Sequence, residues 1–192
     1  MSINQIDSQQ NALPPIENQE SEKKISPELN EANMTLLLNL SEVEILKNIE
    51  DLAAQEGYEK KDEFHVTGIG YPNGKKIRSI LAGQEKMAEI KALINSMNWQ
   101  DFKLRDEFFR IAKSYANGNN YEVRESIIQM VDMPALKEFY EKLNGLLGTT
   151  FSLPPAHVTL FTKGTDPKTS KVGVGLYSES DFERYNQGKI EK

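Results

Sequence analysis

Pro154-Pro155-Ala156-His157-Val158-Thr159-Leu160-Phe161-Thr162-Lys163 shares its central phrase with Glu63-Phe64-His65-Val66-Thr67-Gly68-Ile69-Gly70. Together the two His-Val-Thr phrases hold both histidines of the chain. In an extended strand successive side chains alternate between faces, so His and Thr share one face and Val takes the other. Each copy therefore predicts a strand that presents an imidazole beside a hydroxyl. Two such strands facing one another would gather two imidazoles and two hydroxyls around one small volume.

Working outward, each phrase follows a helical pattern. Ser41 and Glu44 have the spacing of a capping box, and Val43, Ile45, Leu46, Ile49, Leu52 and Ala53 recur at helical period, which predicts a helix over 41–56 stopped by Gly57. Leu36, Leu37, Leu38 and Leu40 form a short apolar entry before it. Ahead of the second phrase, Leu136, Phe139, Tyr140, Leu143 and Leu147 make one buried stripe, with Pro134 in the first turn and Gly148 at the end. Between them, Tyr71-Pro72-Asn73-Gly74 reads as a turn, and Met87, Ile90, Ile94 and Met97 predict a helix over 84–98. Apolar or alternating runs at 107–115 and 121–131 flank Asn117-Gly118-Asn119-Asn120, a strong hairpin signal. After the second phrase come a polar loop at 164–171, a short strand at 172–177 and a last helix begun by Ser178 with Asp181. The pattern suggests two related halves. Helices segregated on one side of mainly antiparallel sheet make the class α+β.

Composition bounds the partners. The net charge is −6, and much of it lies in a polar segment at 1–32, broken by Pro14, Pro15 and Pro27, which is expected to be a disordered tail ahead of a domain at 33–192. The rest is close to neutral and lacks the wide basic footprint that sequence-blind nucleic-acid binding needs. A small phosphorylated or nucleotide substrate, or an RNA end, remains compatible. The chain has no cysteine, hence no disulfide or thiol nucleophile. No apolar run reaches the roughly 20 residues of a bilayer span, and no signal peptide opens the chain. The expectation is a cytoplasmic monomer without membrane association, with secretion through the tail as the alternative address.

The two phrases resemble the signature of the two-histidine phosphoesterase superfamily, the relatives of bacterial RNA ligase T and cyclic nucleotide phosphodiesterases. That signature is His, an apolar residue, Thr or Ser, then an apolar residue, twice, roughly 80 to 100 residues apart. His157-Val158-Thr159-Leu160 fits throughout, whereas His65-Val66-Thr67-Gly68 departs at Gly68. The resemblance covers about residues 34–185 and implies a bilobal fold, with two mainly antiparallel sheet regions flanking a central cleft and helices outside. It implies a metal-independent phosphodiesterase, without cofactor, that hydrolyses a 2′,3′-cyclic nucleotide, an RNA end or a short 2′-5′-linked nucleotide. His157 would act as base and His65 as acid, with Thr67 and Thr159 bonding the phosphate oxygens; in ligation the two histidines would exchange roles.

Other readings stand beside this one. A 2′-5′ RNA ligase or RNA-end processing enzyme would use the same residues. A non-catalytic nucleotide-binding or interaction module would need no proton-transfer groups. Two core histidines bonded to neighbouring threonines would read alike in sequence. Lys163 on the second strand, with Tyr71 and Tyr177, are further substrate-binding candidates, the lysine for phosphate and the tyrosines for a base. Lys75, Lys76 and Arg78 could guide an anion, and Arg124 could enter the cleft or pair with Glu107. No cluster suggests a metal site.

Overall fold

A computed structural model describes residues 24–82, 86–117 and 120–191. The first two strands, β1 (Ile25–Asn30) and β2 (Thr35–Leu40), form an antiparallel pair. Helix α1 (Lys47–Gln55) leads through the short β3 (Glu59–Lys60) into β4 (His65–Ile69), the first His-Val-Thr strand. Helices α2 (Tyr71–Leu81) and α3 (Met87–Ser96) follow. The long hairpin β5 (Lys103–Asn117) and β6 (Asn120–Asp132) then leads to α4 (Pro134–Leu147) and to β7 (His157–Gly164), the second His-Val-Thr strand. Helix α5 (Glu179–Tyr185) and β8 (Asn186–Lys189) close the chain.

Among the described residues, the eight strands make one sheet in the order β1-β2-β4-β7-β6-β5-β8, with β3 on the same edge of β7 as β4. Every pairing is antiparallel, and the class is α+β. One link is slender, because β4 and β7 are paired at Val66↔Val158 alone. The larger core lies on the helix side. It joins Leu36, Leu38, Val66, Val158 and Leu160 of the strands to Ile49 of α1, Ile77 of α2, Ile90 and Ile94 of α3, and Phe139 and Leu143 of α4. A smaller cluster lies on the opposite face, where Ile111 and Ile128 meet Val174 and Leu176, packed by Phe109 and Phe182. Those two rings stand edge to face, 5.1 Å between centroids.

Several expectations change. Strand β1 falls inside the stretch expected to be a disordered tail; Ile25 is 1% exposed and Pro27 sits on an edge strand, where a missing N–H is tolerated. Residues 1–23 of that stretch lie outside the described residues. The apolar entry is the buried alternation of β2, with Leu36, Leu38 and Leu40 inward. Helix α1 starts at Lys47 without a side-chain cap, so the Ser41–Glu44 capping box is not made. The start of the helix expected over 84–98 and the Gly118-Asn119 tip of the hairpin lie outside the described residues, although Asn117 pairs with Asn120. Residues 172–177, expected to be a short strand, form no strand pairing. Ser178 does cap the last helix, accepting from the Asp181 N–H, and Gly148 ends α4 at φ 61°.

The expected turn at Tyr71-Pro72-Asn73-Gly74 is instead the first turn of α2. Proline is tolerated there because its missing N–H would have no partner inside the helix. Gly74 is required by packing. A Cβ at this position would lie 2.8 Å from the Met34 carbonyl oxygen and closer still to that of Asn33. Both belong to the β1–β2 turn, where Met34 is buried at φ 57° and has little room to retreat. Alanine would gain about 1 kcal/mol of helix propensity, whereas overpacking costs about 1–3 kcal/mol. Gly74→Ala is therefore expected to destabilise the protein by up to about 2 kcal/mol net. The check is the urea unfolding midpoint, which should fall without a change in slope.

Candidate functional site

Val66 and Val158 are both fully buried on the helix side of the sheet. Alternation turns the residues flanking them, His65 and Thr67 on β4 and His157 and Thr159 on β7, to the other face. Counting outward from the Val66↔Val158 pair sets His65 across from Thr159 and Thr67 across from His157. The histidines thus occupy one diagonal and the threonines the other, with about 7–8 Å between diagonal positions. All four line one cleft of about 300 Å³. Residues 172–177 form its opposite wall, and Lys61 and Lys171 stand at its side.

The two imidazoles are held differently. His157 is 7% exposed, and its Nδ1 lies 2.7 Å from the Pro155 carbonyl. A carbonyl only accepts, so Nδ1 carries the proton and Nε2 of the neutral ring keeps its lone pair. Burial pushes the His157 pKa below its ordinary value of 6.5, the Pro155 carbonyl works against that, and the charge of His65 lowers it further. His65 is half-buried. Its pKa is lowered first by burial and then by Lys61, with Glu63 opposing. Both rings are therefore neutral near pH 7 in the free protein.

The wall depends on small residues. In Val172-Gly173-Val174-Gly175, Val174 is buried in the smaller core and its N–H donates to Ser126 Oγ at 3.0 Å. A Cβ on Gly173 would sit 3.3 Å from Thr159 Oγ1, and one on Gly175 would fall inside the Tyr177 phenol. Glycine lets this wall lie directly over the threonine. Tyr177 also stacks on the backbone at Gly70, and its N–H donates to Asp181 at 2.9 Å.

The other sequence candidates lie elsewhere. Lys163 is on the helix face, donating to the Glu56 carbonyl at the end of α1. Simple alternation sets it on the side of Thr159, but the register shifts between Ile127 and Ile128, where Leu160 is the extra residue of β7. Leu160 and Phe161 both enter the larger core, and every later residue changes face. Tyr71 is 59% exposed on α2 and is not among the cleft residues. Lys75, Lys76 and Arg78 are exposed on α2, where Arg78 donates to the Ala32 carbonyl. Arg124 pairs with Glu122 at 2.6 Å over the Tyr115 ring, while Glu107 pairs with Arg105 and Lys189. Lys61 and Lys171 were missed by sequence reasoning; the available signal was a lysine four positions before the first histidine and another just before the Val-Gly-Val-Gly run.

Comparisons with protein-family models, curated proteins and solved structures found no match. Among the described residues no three of His, Asp and Glu gather as metal ligands, and no helix is long and apolar enough to cross a membrane.

The lowered histidine pKa values carry a sign. Unfolding returns both rings toward 6.5, so below that value the unfolded chain binds protons first. The stability gained by holding the rings neutral is complete above pH 6.5 and is lost as pH falls through the folded values. An NMR titration of the two imidazoles should show both midpoints below 6.5. Urea stability should fall as pH drops below 6.5, by more in the wild type than in His157→Gln. Midpoints above 7 would contradict the burial assignment.

Proposed function

We propose that the cleft binds a small cyclic phosphodiester, a 2′,3′-cyclic nucleotide or an RNA end carrying one, and hydrolyses it by paired acid and base catalysis. The observation that carries this reading is the placement of both His-Thr pairs on one face of β4 and β7 around one cleft. Structural histidines need no such convergence. The reading also takes the two wings of the sheet, joined at Val66↔Val158, as the two lobes of a two-histidine phosphoesterase. A volume near 300 Å³ suits one nucleotide-sized ligand better than a long RNA.

In this mechanism water attacks phosphorus as Nε2 of His157 takes its proton, which the Nδ1–H bond to Pro155 leaves free to do so. The phosphorus–oxygen bond to one ribose oxygen breaks, and the imidazolium of His65 protonates that oxygen, giving a phosphomonoester. Thr67 and Thr159 donate to the non-bridging oxygens as charge develops. His157 ends protonated and His65 neutral, and exchange with solvent resets the pair. Both rings are neutral near pH 7 without substrate. An arriving phosphate anion favours the charged form of a nearby histidine, so that ring takes up the missing proton from solvent.

Turnover of a 2′,3′-cyclic nucleotide is expected to fall about 10²- to 10⁴-fold in His65→Ala and in His157→Ala. Thr67→Val and Thr159→Val should cost about 10- to 10³-fold. The double histidine variant should lose far less than the product of the single losses. The pH profile should be bell-shaped with its optimum on the acid side of neutrality, because only the state with one protonated ring is productive. Circular dichroism checks that each variant folds. Wild-type rates in either histidine variant would overturn the mechanism, and saturable binding without turnover would mark a nucleotide-binding module.

A further inference from the structure

Two lysines flank the cleft, and their surroundings differ. Lys171 is exposed and its charge is taken up by Asp62, with Nζ 3.3 Å from the carboxylate. Lys61 has no carboxylate partner among the described residues; its Nζ donates at 3.0 Å to the backbone carbonyl of Lys171. Its backbone is fixed, because the Lys61 N–H donates to the Leu160 carbonyl at 2.9 Å, just beyond the end of β3. Leu160 directly follows Thr159, so Lys61 is anchored to the same strand that carries half of the site. A flexible stem on a fixed root holds an ammonium in the cleft near His65, and among the described residues its acceptor is a neutral carbonyl.

From this geometry we infer that Lys61 is the anion-binding residue of the cleft, and that a substrate phosphate replaces the Lys171 carbonyl as its acceptor. The inference rests on the proposed phosphodiester site and adds to it the group that holds the phosphate charge. An ammonium–phosphate bond is stronger than an ammonium–carbonyl bond, so the exchange is favourable. It also links binding to protonation. Lys61 lowers the His65 pKa in the free protein, and an anion on Lys61 cancels that influence. The other groups around His65 are Glu63 in the bend just before its strand, His157 and Thr159 on β7, and Tyr177 and Lys171 across the cleft. Of these, only Glu63 carries a charge that raises the His65 pKa.

The test is an NMR titration of the full chain with inorganic phosphate, reading the His65 and His157 ring signals, in wild type, Lys61→Met, Lys61→Arg and Lys171→Met. In the wild type, phosphate should move both signals and raise the His65 midpoint. Lys61→Met should weaken phosphate binding about 10- to 100-fold, and its His65 midpoint should start higher and respond little. Lys61→Arg should retain much of the binding, and Lys171→Met should stay within about 3-fold of wild type, since Lys171 is already paired. For a cyclic nucleotide, Lys61→Met should raise KM by a similar 10- to 100-fold factor. Phosphate binding in Lys61→Met equal to wild type would overturn the inference, as would a wild-type protein whose histidine signals ignore phosphate. Neither result would restore activity to the histidine variants, so the assignment of Lys61 and the paired-histidine reading fail separately.

Discussion

One cross-strand pair, Val66 against Val158, joins the two parts of the sheet and orients everything on the opposite face. Both side chains are fully buried, which is worth about 1.5–3 kcal/mol each. A slip of one residue in either strand would exchange the faces. It would drive an imidazole and a hydroxyl into the larger core, where each unpaired polar group costs about 1–3 kcal/mol, and would expose the valine. Loss of apolar burial and burial of polar groups act in the same direction. The chemistry-bearing face is therefore specified by hydrophobic burial on the other side, with no need for contacts among the histidines and threonines themselves.

The second constraint is the wall at 172–177. It is tied to the sheet through Ser126 and through Val174 and Leu176 in the smaller core, and α5 follows directly behind its Ser178 cap. Gly173 and Gly175 let its backbone approach Thr159 and Tyr177 closely. A larger residue at either position would need its neighbour to move. The result is a cleft with a fixed floor of side chains and a wall made largely of backbone. The loop before it, at 164–171, is held by the Thr169 hydroxyl on the Glu122 carboxylate and by the Thr165 N–H on the Val123 carbonyl.

What could be read from sequence was set by local periodicity. The placement of His65, Thr67, His157 and Thr159 followed from strand alternation, and α4 from its apolar stripe and flanking Pro134 and Gly148. Lys163 could not be placed, because one inserted residue at Leu160 reverses alternation and leaves no local signature in Thr159-Leu160-Phe161-Thr162. Tyr71-Pro72-Asn73-Gly74 has the composition of a turn, and only the close approach of Asn33 and Met34, distant in sequence, explains a glycine in a helix there. Strand β1 was hidden because an edge strand with Pro27 and alternating polar residues resembles a tail until β2 is known to pair with it. A lysine four positions before His65 hints at the site, but the backbone bond to Leu160 that anchors Lys61 there is a long-range contact without a local signature.

The most direct measurement is an isotope-edited NOE experiment on the full chain. A cross-strand backbone NOE between Val66 and Val158, with a second between the His65 ring and the Thr159 methyl group, is the predicted result. A Val66 backbone with NOEs to β2 and none to β7, or a His65 ring whose NOEs lead to the larger core, would contradict the shared face on which the site depends.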